Sequence, residues 1–230
     1  MHGGQQVFLW SRYNIMRTAQ LPAAKRIGTI LKRLKKAYPD AKCSLNYTKP
    51  FELLIATILS AQCTDERVNQ VTKTLFQKYK KPADYLQVPE EELQNDIRTT
   101  GFFRNKTKSI RGTSKKLIED FGGEVPSRME DLLTLPGVAR KTANVVLGNV
   151  FGIADGVVVD THVSRVSQRL GLTKNTAAEK IEQDLMKLVP KKDWILFSHM
   201  LILHGRYVCR AIRPECENCV LNDLCPSSTV

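Results

Sequence analysis

The sequence predicts an all-α protein, and three observations lead to this fold class. Apolar residues recur with helical spacing, as in the stripe of Ile27, Ile30, Leu31 and Leu34 at positions i, i+3, i+4 and i+7. Proline, glycine and asparagine separate the successive runs, as is typical of loops between helices. Only residues 156–159 look like a β-strand, and so short a segment does not found a sheet.

The helical runs follow one another along the chain. The first contains the stripe just described and has cations on its remaining surface, among them Arg26. A buried-looking apolar segment at 51–59 precedes a polar step, after which Val68, Val71 and Leu75 continue the same rhythm. Further helices are predicted at 90–97, 106–121, 128–135, 140–150, 161–170, 176–189 and 193–208.

Length, composition and charge narrow the class of protein. The 230 residues are 42% apolar, which is enough for one large domain or two small ones with a real core. The net charge of +12 predicts a polyanionic partner, with nucleic acid ahead of an acidic membrane surface. The alternative is that the charge serves only solubility. No apolar run is long enough to span a bilayer.

The N-terminal segment is basic and contains no acidic residue before Asp40. This composition suits an organelle transit peptide, but Ser11 is the only serine in the first 39 residues, and such peptides are rich in serine. We therefore predict a disordered tail over residues 1–20 and a prokaryote-like location in the cytoplasm and nucleoid, with organelle targeting as the alternative.

Four cysteines near the C-terminus have the spacing C-x6-C-x2-C-x5-C, at Cys209, Cys216, Cys219 and Cys225. They either form two disulfides or bind one metal centre. The four-ligand count, the C-x2-C step and the lack of a secretory signal favour the metal centre, and the C-x2-C step suits zinc. Cys43 and Cys63 lie far from this loop and are interpreted as ordinary buried thiols.

The segment LPGVARK at 135–141 lies between two helical runs. Pro136 and Gly137 end the first helix, Val138 supplies an apolar anchor, and the next helix presents its N-terminal N–H groups and dipole to an anion such as a phosphate. This pattern is typical of a helix-hairpin-helix, although an ordinary αα-hairpin with two surface cations would read similarly. Lys141 is then either a nucleophile or a phosphate contact.

A carboxylate follows the hairpin in the segment VDTH at 159–162. Asp160 immediately precedes the apolar positions Val163, Val166 and Leu170, so its simplest role is that of a helix N-cap.

Together these features resemble the endonuclease III family, iron–sulfur DNA glycosylases and AP lyases of the helix-hairpin-helix superfamily. The resemblance extends in order over roughly residues 22–226. It rests on segments 51–65, 99–106, 135–146, 159–162 and 201–209 and on the four-cysteine loop.

The resemblance implies an all-α fold of two helical lobes that flank a DNA-binding groove. One lobe, residues 43–154, is a six-helix barrel with the helix-hairpin-helix at about 128–150. The other combines the N-terminal helix at 21–42 with residues 155–230. It holds a [4Fe–4S] cluster on the four cysteines of the loop 209–225. His204 is expected to brace the junction between the lobes.

The resemblance also implies excision of oxidised pyrimidines from double-stranded DNA and cleavage at the abasic site, by a monomer. Lys141 matches the family's nucleophile and Asp160 its essential carboxylate, while Gln62 and Phe102 match residues that fill the gap left by an extruded base. Further DNA contacts are expected from the hairpin and the cysteine loop: Pro136, Gly137, Val138, Ala139, Arg140, Thr142, Arg206, Arg210 and Arg213.

Two departures from the family pattern bear on these expectations. Ala139 stands where the hairpin commonly has glycine, which would cost about 1 kcal/mol if the position required positive φ. Phe102 is aromatic where an aliphatic residue is also used, which would affect the preference for the opposite base but not the chemistry.

The chemistry explains why a primary amine is needed. Attack on the sugar C1′ expels the base, a carboxylate stabilises the cationic sugar, and a primary amine goes on to a Schiff base that permits β-elimination. Free lysine has a pKa of about 10.4 and is protonated at pH 7. Desolvation, a neighbouring cation such as Arg140, or proton transfer to Asp160 must therefore supply the neutral amine.

Two other functions remain compatible with parts of the pattern. A mismatch-type glycosylase of the same superfamily is one, although its adenine-removing members usually lack a lysine at this position. A non-catalytic, metal-clamped DNA-binding module is the other.

Overall fold

The computed structural model describes residues 18–230, and the regular structure of these residues is entirely helical, which confirms the predicted all-α class. Most of the predicted N-terminal tail, residues 1–17, lies outside the described residues, and residues 18–20 are helical. In the described chain no helix is both long enough and apolar enough to cross a membrane.

The α-helices from residue 23 onward occupy the ranges α1 Ala23–Ala37, α2 Pro50–Leu59, α3 Asp65–Lys78, α4 Pro82–Gln87, α5 Glu90–Asp96, α6 Phe103–Phe121, α7 Met129–Leu132, α8 Arg140–Phe151, α9 Thr161–Arg169, α10 Ala178–Leu188 and α11 Trp194–Tyr207. The described residues also contain three short 3₁₀ helices, at Arg98–Thr100, Lys191–Asp193 and Asn222–Leu224. The described residues form two compact units. We call Cys43–Asp155 the hairpin unit, and residues 18–42 together with Gly156–Val230 the cysteine unit.

The core of the hairpin unit is built around α2, whose apolar side chains are almost all buried. Pro50 occupies its first turn, and the carboxylate of Glu52 accepts hydrogen bonds from the backbone N–H groups of Thr48 (2.6 Å) and Lys49 (3.3 Å). The long helix α6 and the helix α8 both pack against α2, and α4 packs against α6. This apolar packing holds α6 and α8 against α2.

The helix predicted at 128–135 is wrong in length, because only Met129–Leu132 forms α7. The backbone N–H groups of Thr134 and Leu135 bond carbonyls three residues earlier, so the chain tightens into turns. Pro136 explains this shortening, since a proline disfavours helical geometry in the residue before it.

The cysteine unit contains α1, α9, α10 and α11, and the predicted apolar stripe of α1 is buried as expected. Arg26 contradicts its predicted surface position, because its side chain is only 3% exposed. Its guanidinium donates to the carbonyl oxygens of Leu170 (2.8 Å) and Leu224 (2.7 Å). The cation therefore ties α1 to the end of α9 and to the cysteine loop, with its charge satisfied by carbonyl dipoles.

Helices α9 and α11 pack closely at one glycine. A Cβ added at Gly205 would lie 2.9 Å from the Cβ of His162, so only glycine permits this approach without a shift.

Candidate active site and cysteine cluster

The predicted nucleophile, Lys141, is the second residue of α8 and its side chain is exposed. Ala139 precedes the helix with φ −91° and ψ 170°, an extended conformation that alanine adopts without strain. The possible cost of alanine at this position is therefore absent. Among the described residues, no side chain caps the start of α8 and its first turn contains no acidic residue. An anion at this helix start would meet N–H dipoles and cations.

The hairpin turn rests directly on α6. Gly137 has φ 78°, and a Cβ added there would lie 2.6 Å from the Cβ of Ser109. The hydroxyl of Thr113 donates to the carbonyl oxygen of Pro136 at 2.7 Å. Both the backbone conformation and the close approach require glycine, and α6 thereby fixes the turn.

The predicted hairpin contacts differ in their exposure. Pro136, Gly137 and Ala139 are exposed, whereas Val138 is buried as the expected apolar anchor, which leaves only its main chain for a ligand. Thr142 is half-buried. Arg140 lies 3.8 Å from the carboxylate of Asp155, so part of its charge is already compensated.

Three residues other than glycine have positive φ in the described chain, namely Gln62 (53°), Phe102 (47°) and Arg213 (53°). Each such conformation costs on the order of 1 kcal/mol, and strained residues of this kind cluster at functional sites. All three were predicted DNA contacts. Phe102 is 61% exposed and so lies outside the core, and Gln62 is exposed as well.

Asp160 lies immediately before α9 and is half-buried. Its carboxylate accepts a hydrogen bond from the backbone N–H of Val163 at 2.8 Å, which is the predicted N-cap. The cap orients this carboxylate relative to α9 and leaves its second oxygen available.

The four cysteines of the loop, Cys209, Cys216, Cys219 and Cys225, line one cavity of about 220 Å³. None of the chain's six cysteines, all within the described residues, forms a disulfide, so the structure does not support the disulfide alternative. Nor do any three His, Cys, Asp or Glu side chains of residues 18–230 converge as ligands of a single ion. A cavity of this volume, lined by four sulfurs, suits a cluster of several atoms better than one zinc ion.

The protonation chemistry of the loop also fits a metal cluster. Burial, with neighbouring thiolates, raises the pKa of Cys219 to about 11, and burial raises the pKa of Cys225. Cys219 and Cys225 therefore need a cationic centre beside them to stay charged as thiolates. Donors already face the sulfurs: the N–H of Leu221 lies 3.4 Å from Cys219 Sγ, and Arg169 Nη1 lies 3.4 Å from Cys209 Sγ. Such donors stabilise metal-bound thiolates.

Helix α9 anchors the cysteine loop through two arginines that the sequence analysis did not single out. Arg165 donates to the carbonyl oxygens of Gly205 (2.8 Å) and Cys209 (3.1 Å). Arg169 donates to those of Arg210 (2.7 Å) and Ala211 (3.0 Å). Their spacing of four residues, one helical turn, was the available signal, but only the fold shows that the loop lies beside this face.

The predicted DNA-contacting arginines of the cysteine unit lie at and beyond the end of α11. Arg206 is half-buried in the last turn, whereas Arg210 and Arg213 are exposed on the loop. Arg210 pairs with Glu215 at 2.8 Å, so a phosphate would have to displace that carboxylate.

His204, which the sequence places at the junction of the lobes as a prediction, makes its described side-chain contacts within the cysteine unit. Its Nδ1 lies 2.9 Å from the hydroxyl of Tyr38, and its Nε2 lies 3.6 Å from Cys219 Sγ. Burial lowers the pKa of His204 to about 4, so the ring is neutral at pH 7. The histidine therefore packs beside the cysteine cluster.

Comparison with protein families identifies both parts of the chain. Residues 55–191 match the family model described as "HhH-GPD superfamily base excision DNA repair protein", and residues 209–225 match the "iron-sulfur binding domain of endonuclease III". Endonuclease III of Synechocystis sp. is 59% identical over 89% of this chain and 93% of its own length. That of Bacillus subtilis is 52% identical over 87% and 92%, respectively.

Solved structures give the same result. A non-covalent endonuclease III–DNA complex superimposes with a TM-score of 0.87 and 47% identity, over 90% of this chain and 97% of the other. A trapped endonuclease III–DNA covalent intermediate has the same TM-score and identity, over 90% of this chain and 98% of the other.

Proposed function

The chain belongs to the endonuclease III family of the HhH-GPD superfamily, and on that premise we propose that Lys141 and Asp160 carry its chemistry. It is a DNA-binding base-excision-repair glycosylase with AP lyase activity and a [4Fe–4S] cluster. The observation that carries the assignment of the nucleophile is the exposed primary amine at the uncapped start of α8. A covalent DNA intermediate has been trapped in a relative, which supports catalysis through a nucleophile.

The hairpin positions DNA through its backbone. The turn of Pro136, Gly137, Val138 and Ala139 presents main-chain groups, and α8 adds its dipole with Arg140 and Thr142 beside it. Such contacts fix the register of the duplex without reading bases. Lys141 is then brought to a sugar next to the bound phosphates.

The wedge residues, Gln62 and Phe102, hold the damaged nucleotide outside the helix. Rotating a nucleotide out of the stack costs a few kcal/mol, and less for a damaged base. An exposed aromatic ring and an exposed amide can fill the vacated space by stacking and hydrogen bonding. Their strained backbone conformations keep both side chains projecting before DNA arrives.

Base excision begins when the neutral amine of Lys141 attacks C1′ of the extruded nucleotide. The bond between C1′ and the base breaks, and the base leaves with the electron pair. The sugar passes through a cation-like state that the carboxylate of Asp160 stabilises. Asp160 also accepts the proton that Lys141 must lose.

Strand cleavage follows because Lys141 is a primary amine. The sugar ring opens to a Schiff base between Nζ and C1′, and the iminium acidifies the C2′ proton. Loss of that proton and β-elimination break the bond between C3′ and its oxygen, so the 3′ phosphate leaves. Hydrolysis of the Schiff base returns the free lysine.

Cys209, Cys216, Cys219 and Cys225 would hold the [4Fe–4S] cluster in the cavity that they line. The cluster supplies a covalent cross-link of the loop rather than a redox step in excision. We infer that it orders Arg206, Arg210 and Arg213 for contacts with DNA phosphates.

The substrate that we propose is double-stranded DNA with an oxidised pyrimidine or an abasic site, bound by a monomer on nucleoid DNA. Purified protein should release thymine glycol and dihydrouracil from duplexes and cut abasic sites, but should release oxidised guanine at least ~10-fold more slowly. Product release from the four duplexes at one enzyme concentration measures this. Faster release of oxidised guanine than of both pyrimidines would contradict the assignment.

The phosphate contacts predict a strong salt dependence. With six to ten contacts, DNA affinity should fall by roughly 10³ to 10⁵ between 50 and 200 mM salt, because bound counterions are released. Fluorescence anisotropy with a duplex carrying an abasic-site analogue measures this. Arg213→Ala should reduce the logarithmic slope by about 1, whereas Lys187→Ala, an exposed lysine of α10, should not change it. A flat salt response would contradict the interface.

A further inference from the structure

We infer that Lys106 is a positioning residue. It joins the turn that precedes Gln62 to the turn that precedes Phe102, so that these two wedge residues act as one unit in base extrusion. The inference rests on the wedge role proposed above. The sequence segment 99–106 supported the family resemblance, but no role followed for its last residue.

Lys106 is buried, and the hydrogen bonds of its side-chain nitrogen Nζ go to main-chain carbonyl oxygens. Its side chain is 4% exposed. Nζ donates to the carbonyl oxygen of Leu59 at 2.8 Å and to that of Thr100 at 2.7 Å. Burial of a lysine is unfavourable unless its donors are satisfied, and here carbonyls at the ends of two elements accept two of its three N–H donors. The same burial lowers the pKa of Lys106.

The two carbonyls belong to the segments that carry the wedge residues. Leu59 is the last residue of α2, three positions before Gln62, and Thr100 ends the 3₁₀ helix two positions before Phe102. The backbone N–H of Lys106 also donates to the carbonyl oxygen of Phe102 at 3.0 Å. Lys106 therefore donates hydrogen bonds to the segment before each wedge residue and to the carbonyl oxygen of Phe102 itself.

Both turns are strained, so they need an external restraint. Gln62 has φ 53°, and Gly101 and Phe102 form two consecutive residues of positive φ, at 72° and 47°. Left-handed conformations of non-glycine residues persist only when the surroundings enforce them. Nζ of Lys106 supplies such a restraint, because it fixes the distance between Leu59 and Thr100. Without it, each turn can relax separately and the two side chains no longer fill one gap.

Comparing two activities of one sample tests the inference. Excision of a damaged base from duplex DNA needs the wedge, whereas cleavage of an abasic site in single-stranded DNA leaves no gap to fill. Lys106→Met keeps the length of the side chain and removes its donors. We expect duplex excision to fall about 10- to 100-fold, as for a misplacement of about 1 Å, and single-strand cleavage to stay within about twofold. The ratio of duplex excision to single-strand cleavage, measured within one sample, does not depend on how much of the protein is folded.

Matched variants make the result specific. Lys115→Met removes an exposed lysine of the same helix and should leave both activities unchanged. Lys106→Gln retains two N–H donors and is measured if Lys106→Met does not fold. Its ratio of duplex excision to single-strand cleavage should lie between the ratios of the wild type and Phe102→Ala. In the double variant of Lys106→Met and Phe102→Ala, the losses should not add, because both act through one element.

The possible failures are distinguishable. If Gln62→Ala and Phe102→Ala each slow duplex excision but Lys106→Met leaves the ratio unchanged, the positioning role is wrong and the wedge stands. If Gln62→Ala and Phe102→Ala have no effect on duplex excision, the wedge role fails and this inference fails with it. Equal losses in both activities for Lys106→Met would show a general structural role and would also overturn the inference.

Discussion

Replacing Lys141 by alanine is expected to abolish the covalent DNA adduct that borohydride traps and to reduce both base excision and strand cleavage by about 10⁴-fold or more. The reason is that no other group at the start of α8 supplies a primary amine, and only a primary amine reaches the Schiff base. The side chain is exposed, so the free energy of unfolding should change by less than about 0.5 kcal/mol. Denaturing gel electrophoresis after reduction measures the adduct.

Two controls separate nucleophilic attack from simple phosphate binding. Lys141→Arg keeps the positive charge, so it should retain most DNA affinity and still form no adduct, because a guanidinium is not a nucleophile at neutral pH. Lys73→Ala removes an exposed lysine of α3 and should form the full adduct. Normal abasic-site cleavage by Lys141→Ala, with its cluster intact, would refute the assigned nucleophile. Such cleavage would point to an enzyme with a different nucleophile. A non-catalytic DNA-binding module would instead form no adduct in any variant, including the wild type.

Replacing Asp160 by asparagine is expected to slow base excision by about 10²- to 10³-fold without unfolding α9. Asparagine retains an oxygen that can accept the N–H of Val163, so the helix cap survives while the charge is lost. Thermal unfolding should therefore change little. Asp160→Ala removes both cap and charge and should lower stability by about 1 kcal/mol in addition to the loss of rate.

The pH dependence tests whether Asp160 also takes a proton from Lys141. If Asp160 takes that proton, its replacement by asparagine leaves the proton to the solvent, so the excision rate of Asp160→Asn should rise with pH more steeply than the wild-type rate. Single-turnover excision measured across pH gives both profiles. An unchanged rate in Asp160→Asn would show that the carboxylate serves only as the cap.

Much of the fold could be predicted because helical periodicity is a local property. The buried stripe of α1 and the N-cap at Asp160 both follow from residues within one or two turns of each other. Prediction from the local pattern failed where residues distant in sequence decide whether a side chain is buried. Arg26 looked like one more surface cation, but the carbonyls of Leu170 and Leu224 provide acceptors that allow it to be buried.

The candidate site shows the same division. The spacing of the four cysteines and the segment at 135–141 were sufficient to indicate a metal centre and a phosphate-binding hairpin. The strain at Gln62 and Phe102 was not visible, because a positive φ in a residue other than glycine is imposed by its surroundings rather than favoured by its side chain.

The sequence by itself determined the helical class, and it indicated the four cysteines of the loop as candidate cluster ligands and Lys141 and Asp160 as candidate nucleophile and carboxylate. Only the tertiary structure decided what holds them in place. Arg165 and Arg169 reach a loop about 40 residues away, and Lys106 reaches a carbonyl 47 residues earlier. Residue type and spacing set the possible chemistry locally, whereas positioning depends on contacts between segments that are distant in sequence and meet only on folding.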